Sequence, residues 1–272
     1  MLSNLRRSTF LPTLCSCLAL LLWSSSAYLS VALKKIPPFQ LTAFTMTSLF
    51  VIKVVQIVIF NKWSCLKQPW YIYVGGSLFF TGFNFLYYLA FKFAPAAEVD
   101  IINYLWPIMI IILSGALPDE SFSGVHLLSA AIGFLSIWVL FQGECSWRYI
   151  WGYIAAFSGA LCWVAYNLLH RHYSDSSSAV IGIYGGVSAI FCSFLHFATE
   201  TTVAPTTSQW VHMLLLGFII VGFSYSLWDF GLKRGSIQTL SICSYFTPIV
   251  SILILVITGE ASLTPSITIS AL

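Results

Sequence analysis

Charged residues are scarce in this 272-residue chain: Asp, Glu, Lys and Arg together make up 8% of it. A soluble core of this size needs a more charged surface, so the composition points away from a water-soluble globular protein. The formal net charge is only +3, too small to imply a nucleic-acid partner, and the cations sit at the ends of apolar segments, where they anchor helices in a bilayer. Paired cysteines are lacking as well. Cys15, Cys17, Cys65, Cys145, Cys162, Cys192 and Cys243 stand mostly inside apolar segments, without the spacing of a zinc site or a disulfide framework, and read as small apolar residues. The histidines, His126, His170, His172, His196 and His212, form no metal-ligand spacing with acids, and no serine stands in a nucleophile-elbow setting. There is no glycine-rich nucleotide loop either, because the Gly75–Gly76 and Gly185–Gly186 pairs lie inside apolar spans, where small residues let helices approach closely. A carbonyl filter and an acidic pore motif, the marks of an ion channel, are missing too. No enzyme activity, catalytic residue, metal or cofactor is expected.

What remains is lipid-soluble chain. The apolar fraction is 58% and the mean hydropathy +0.88. At about 20 residues per hydrocarbon crossing, spans are expected at Leu14–Leu33, Phe39–Phe60, Trp70–Phe91, Pro95–Leu117 and Phe122–Phe141. Further spans follow at Tyr149–His170, Ser178–Ala198, Gln209–Leu232 and Ser236–Thr258. A tenth begins near Thr264, but the nine residues to Leu272 make only about 14 Å of helix, roughly half a crossing. The tenth helix is therefore expected to be incomplete. The first segment imitates a secretory signal, with Arg6 and Arg7 before an apolar run and Ser24 to Ala27 after it. Retention is expected instead, since its loss would leave the first half one helix short of the second.

The second half repeats the first. Gly82 to Ile108, GFNFLYYLAFKFAPAAEVDIINYLWPI, returns as Gly222 to Ile249, GFSYSLWDFGLKRGSIQTLSICSYFTPI, so that Lys92, Tyr104 and Pro107 fall opposite Lys233, Tyr245 and Pro248. Two five-span units, 14–141 and 149–272, follow from this. An odd number of spans makes the second unit enter from the opposite side, the plan of many secondary transporters. The expected fold is thus an all-α integral membrane bundle of ten helices in two inverted repeats. Counting cations in alternate loops, seven lie on the amino-terminal side and four opposite, with Lys53 inside the second span. This favours a cytoplasmic amino terminus.

Proline within a span frees the carbonyl four residues earlier, which lipid cannot satisfy. Pro107 frees that of Asn103 and Pro248 that of Ser244, so two matched kinks with polar neighbours mark a midplane cavity and its gates. The helices entering this region are aromatic and polar. Trp23 and its serines lie on the first, and Trp163, Tyr166, Asn167 and His170 share one face of the sixth. The third adds Thr81, Asn84 and Tyr88, and the eighth Tyr225, Trp228 and Asp229. Aromatic walls with a few amides and hydroxyls suit a small, flat or amphipathic solute. The expected substrate-binding set is Trp23, Asn84, Tyr88, Asn103, Trp106, Trp163, Tyr166, Asn167, Ser244 and Tyr245. Trp70, Tyr71, Trp147, Tyr149, Trp151 and Trp210, near span ends, belong instead to the interfacial belt. Glu98, Asp100 and Asp229 are the acids within spans: helix-start stabilisation or an i, i+4 pair with Lys233 accounts for them, and a role in proton or amine binding is the alternative. Lys53 is expected to snorkel.

The five-plus-five arrangement, PAAEVDIINYLWP in the fourth span, SICSYFTPI in the ninth and the Gly259–Glu260 step resemble the EamA-type branch of the drug/metabolite transporter superfamily. NYLWP with SYFTP is most similar to its bacterial aromatic amino-acid exporters. The resemblance implies an inner-membrane carrier with both termini cytoplasmic and a central aromatic-lined cavity. Its matching positions here are Asn103, Tyr104, Trp106, Pro107, Trp163, Tyr245 and Pro248. The partners so implied are a small-molecule substrate and the lipid bilayer, with the oligomeric state left open. Two other readings stay open: an importer or exchanger of another metabolite, such as a cofactor precursor or nucleotide derivative, and a membrane interaction protein without transport activity. Phosphorylated substrates rank low because Lys53 is the one cation placed to meet them.

Overall fold

The computed structural model describes residues 9–115, 117, 123–141 and 146–259; the expected tenth helix lies outside them. Every regular element among the described residues is helical. That follows from the apolar runs: in lipid each backbone N–H and C=O needs an internal partner, and a helix supplies it within one segment. The elements are α1 (Phe10–Ser24), α2 (Ser26–Ala32), α3 (Pro38–Ile59), α4 (Trp70–Phe93), α5 (Ala96–Asn103), α6 (Trp106–Ser114) and α7 (Gly124–Phe141). Then come α8 (Ile150–His172), α9 (Val180–Thr199), α10 (Thr207–Leu214), a π-helix (Leu215–Phe223), α11 (Ser224–Arg234), α12 (Ile237–Cys243) and α13 (Phe246–Ile257). Six helical stretches among the described residues are long and apolar enough to cross a membrane, and the shorter Phe10–Ser24 and Gly124–Ser136 are apolar too.

Three expected spans are broken rather than continuous. The first divides at Ser25, where the hydroxyls of Ser24 and Ser25 donate to the carbonyls of Leu20 and Leu22 at 2.9 and 2.6 Å and compete with the helix ladder. The fourth divides at Tyr104–Leu105, just ahead of Pro107, and the ninth likewise at Ser244–Tyr245, ahead of Pro248. Short backbone bonds span both breaks, Leu105 N–H to the Ile102 carbonyl at 3.2 Å and Tyr245 N–H to the Ile242 carbonyl at 3.1 Å.

The helices pair in a regular scheme. α1 lies chiefly on α11, α3 on α9 and α4 on α8, while α6 meets both α8 and α12. Small residues set these distances. A Cβ on Gly231 would stand 2.1 Å from the Ser16 Oγ, so only glycine allows α11 this close to α1. The Ser16 hydroxyl then donates to the Trp228 carbonyl at 3.0 Å. The outer faces stay apolar, as on α9 with Ile190, Phe194 and Phe197, and Trp70, Trp147 and Trp151 are exposed at helix starts. The largest buried cluster joins the aromatic side chains Phe80, Trp106, Trp163, Tyr166, Tyr184, Tyr225 and Trp228 with aliphatic ones such as Leu49 and Leu232.

Candidate functional site

A cavity of about 670 Å3 opens along one half of the bundle. It runs from Trp163 to Phe91 and Leu255, each within a turn of the carboxy-terminal end of its helix, α4 and α13. Its floor is tryptophan. Trp23 lies 6.2 Å from Trp163 between ring centroids and 5.3 Å from Tyr225, and Trp106 stands edge-on to Trp163 at 6.2 Å. Beneath them Trp228 contacts Trp23, Trp106 and Trp163 at 5.4, 6.1 and 6.3 Å. Such edge-to-face and offset pairs hold each ring in one orientation.

The two helix breaks bring polar groups to the same wall. Asn103, the last residue of α5, lines the cavity with its buried Oδ1 unpartnered. Thr247, directly before Pro248, does the same with its Oγ1. Ser244 lines the cavity too, but its hydroxyl donates back to the Ser241 carbonyl at 2.6 Å. Its own carbonyl, expected to be left free by Pro248, accepts the Thr247 N–H at 3.1 Å. Asn84 contributes its side chain, the amide nitrogen bound to the Phe80 carbonyl at 2.8 Å. Asp100 is the one charged residue of the lining among the described residues, and it accepts the Tyr87 hydroxyl at 2.6 Å.

Trp23, Asn84, Asn103, Trp106, Trp163, Ser244, Asp100 and Pro248 thus meet at one cavity. The others stand elsewhere. Asn167 is fully buried and engaged at both ends, its amide donating to the Trp163 carbonyl at 2.7 Å and its oxygen accepting the Trp228 indole at 2.8 Å. Tyr166 stacks on Trp163 at 5.2 Å below the floor. Tyr245 packs with Ile111 and Ala130 and lies over Gly133 of α7. Pro107 is buried on α6 behind Trp106. Glu98 accepts the Tyr153 hydroxyl against α8, outside the lining. Tyr88 lies on α4, with its side chain outside the described part of the structure. Sequence reading missed Thr45, Phe83, Tyr87, Thr247 and Ser251 in the lining. Phe83, Tyr87 and Phe91 sit at i, i+4, i+8, a helical stripe that could have revealed them. The π-helix adds Leu216, Ile220 and Val221, a wider winding often met beside functional sites.

The opposite half holds a buried polar cluster. Asp229, with no exposed surface, lies 2.7 Å from His170 Nδ1 and 3.0 Å from Lys233 Nζ, and accepts the Ser178 hydroxyl. Lys233 also donates to the Ser176 carbonyl at 2.9 Å. The i, i+4 pair expected from spacing is therefore formed, with both side chains buried. Lys53 does not snorkel. It is 3% exposed and donates to Ser226 Oγ at 2.7 Å, because α9 closes over its stem: a Cβ on Gly182 would meet the Lys53 Cβ at 2.5 Å.

A model of the EamA-like transporter family matches residues 11–142 and again 150–272. The chain belongs to the EamA-like transporter family. Among its relatives is the aromatic amino acid exporter YddG of Ancylobacter novellus, 32% identical over 92% of this chain and 89% of that protein. The exporter of the same name from Escherichia coli is 25% identical over 65% of each chain. A transporter of Bacillus subtilis named YyaM, described as uncharacterised, is 22% identical over 64% of this chain and 60% of its own length. One solved crystal structure superposes with a TM-score of 0.91 at 32% identity, covering 96% of this chain and 92% of the other. An EamA-like membrane transporter accounts for the apolar helices and for a solute-sized cavity among them.

Proposed function

We propose that this protein is a secondary exporter of aromatic amino acids in a bacterial inner membrane, with its amino terminus cytoplasmic. The observation that carries this is the tryptophan floor of Trp23, Trp106 and Trp163 beside two unpartnered polar atoms, Asn103 Oδ1 and Thr247 Oγ1. An aromatic ring rests on the tryptophan floor, and Asn103, Thr247 and Asp100 bind its polar end. The carboxylate of Asp100 suits an ammonium, and a lining in which it is the one charge among the described residues disfavours phosphorylated substrates. The name of the relatives from Ancylobacter novellus and Escherichia coli supports the aromatic class.

The cavity reaches one end of the bundle while Asp229, His170 and Lys233 close the other, so transport proceeds by alternating access. Two inverted units, 14–141 and 149–272, rock about the breaks before Pro107 and Pro248. The exchange-consistent pairing supports this arrangement: first-unit α1 with second-unit α11, second-unit α8 with first-unit α4, and α3 with α9. In proteoliposomes loaded with tryptophan or phenylalanine, Trp163→Ala and Asn103→Ala are each expected to lower flux at least tenfold. Unchanged flux in both variants would refute the assigned site. Equal flux of leucine and tryptophan by the unsubstituted protein would refute the aromatic class while leaving transport intact.

A further inference from the structure

A second cavity, of about 490 Å3, lies between the carboxy-terminal parts of α3 and α11 and the segment 174–179 that leads into α9. It shares no lining residue with the tryptophan-floored cavity. Its place is the end of the bundle where α1 begins, since the N–H of Ser236, close by Arg234, donates to Thr13 Oγ1 at 3.1 Å. Among the described residues its walls carry four cations, Lys53, Lys62, Lys233 and Arg234, and a single acid, Asp175. Asp229 adjoins the cluster, but its oxygens are taken up by His170, Lys233 and Ser178. The buried Lys53 ammonium has three donor hydrogens, and the one hydrogen bond assigned to it goes to Ser226.

An ammonium withdrawn from water is stable only where further acceptors or a counter-charge reach it. A second group on the same wall is also unfulfilled: Ser176 Oγ is shut off from solvent without a hydrogen-bond partner. Ala179, the N-cap of α9, lines the same space, so the positive start of that helix lies beside it. Among the described lining residues, cations therefore outnumber acids four to one.

We propose that this cavity is an anion site for a phosphate group, held at its base by Lys53 and Ser176 and at its mouth by Lys62 and Arg234. The same chemistry can come from two sources, a soluble phosphate or the headgroup of an acidic phospholipid at the membrane edge. The inference does not depend on which solute the tryptophan-floored cavity carries.

The test is a thermal-shift titration of the purified full chain in detergent, because a ligand of the folded state raises the melting temperature in a saturable way. Inorganic phosphate is compared with sodium chloride of equal ionic strength, and short-chain phosphatidylglycerol with phosphatidylcholine. A saturable rise with phosphate assigns a soluble anion, and a rise with phosphatidylglycerol alone assigns a lipid headgroup. In either case Lys53→Met weakens the apparent affinity at least tenfold, Ser176→Ala weakens it less, and Trp163→Ala leaves it unchanged. If Lys53→Met does not yield folded protein, the double variant Lys62→Gln with Arg234→Gln at the exposed mouth reads the same loss. The site is overturned if neither anion exceeds its control, or if the shift survives these substitutions.

Discussion

Asn103 and Asn167 show how differently two asparagines of similar sequence setting are employed. Both lie deep in apolar spans, and the sequence alone gives both as substrate ligands. In the fold Asn167 has both its amide nitrogen and its oxygen engaged within the protein, away from the cavity, while Asn103 keeps an unpaired oxygen on the cavity wall. Removing an acceptor from a buried donor leaves that donor unsatisfied and costs about 1–3 kcal/mol, whereas removing an unpaired group is close to neutral. Asn167→Ala should therefore lower the melting temperature by stranding the Trp228 indole. Asn103→Ala should keep the wild-type melting temperature while losing flux. A melting curve and a flux assay on the same two preparations check the contrast, and the reverse pattern would exchange their roles. The distinction was not legible in the sequence because spacing gives the face of a helix but not the depth at which a cavity ends. The face shared by Trp163, Tyr166, Asn167 and His170 is correct, yet only Trp163 reaches the open space.

At the scale of the elements, the positions of the helices were largely legible. Apolar runs of crossing length and the two prolines give the order of spans and the sites of two breaks. The break at Ser25 was not, because three successive serines are compatible with a continuous helix until their hydroxyls choose backbone partners. Helix proximity was legible only as a tendency of glycine. The particular glycine that matters for Lys53 is Gly182, and not the Gly185–Gly186 pair that stands out in the sequence. Enlarging it forces α9 away from α3: Gly182→Leu places atoms where the Lys53 stem lies, and overpacking of this kind costs about 1–3 kcal/mol. A clear drop in melting temperature is expected. Gly124→Ala, where nothing lies within 4 Å of the added carbon, serves as the control and should leave melting unchanged.

At the scale of the whole molecule, the cavity reaches one end of the bundle and the buried charge cluster occupies the other. Thr247→Cys, in a background freed of the native cysteines, should react with a membrane-impermeant thiol reagent from the face opposite the amino terminus, and aromatic amino acids should protect it. Labelling from the amino-terminal face alone would invert the proposed resting state. The sequence by itself determined that this chain lives in lipid, that it is helical, and where its repeated prolines fall, because backbone satisfaction and apolar length are local demands. Only the tertiary structure decided which deep side chains meet. Asn103 and Thr247 come together at one wall, Asp229 is neutralised between α8 and α11, and Lys53 turns inward, since each depends on which helices pack side by side and how closely their small residues let them approach.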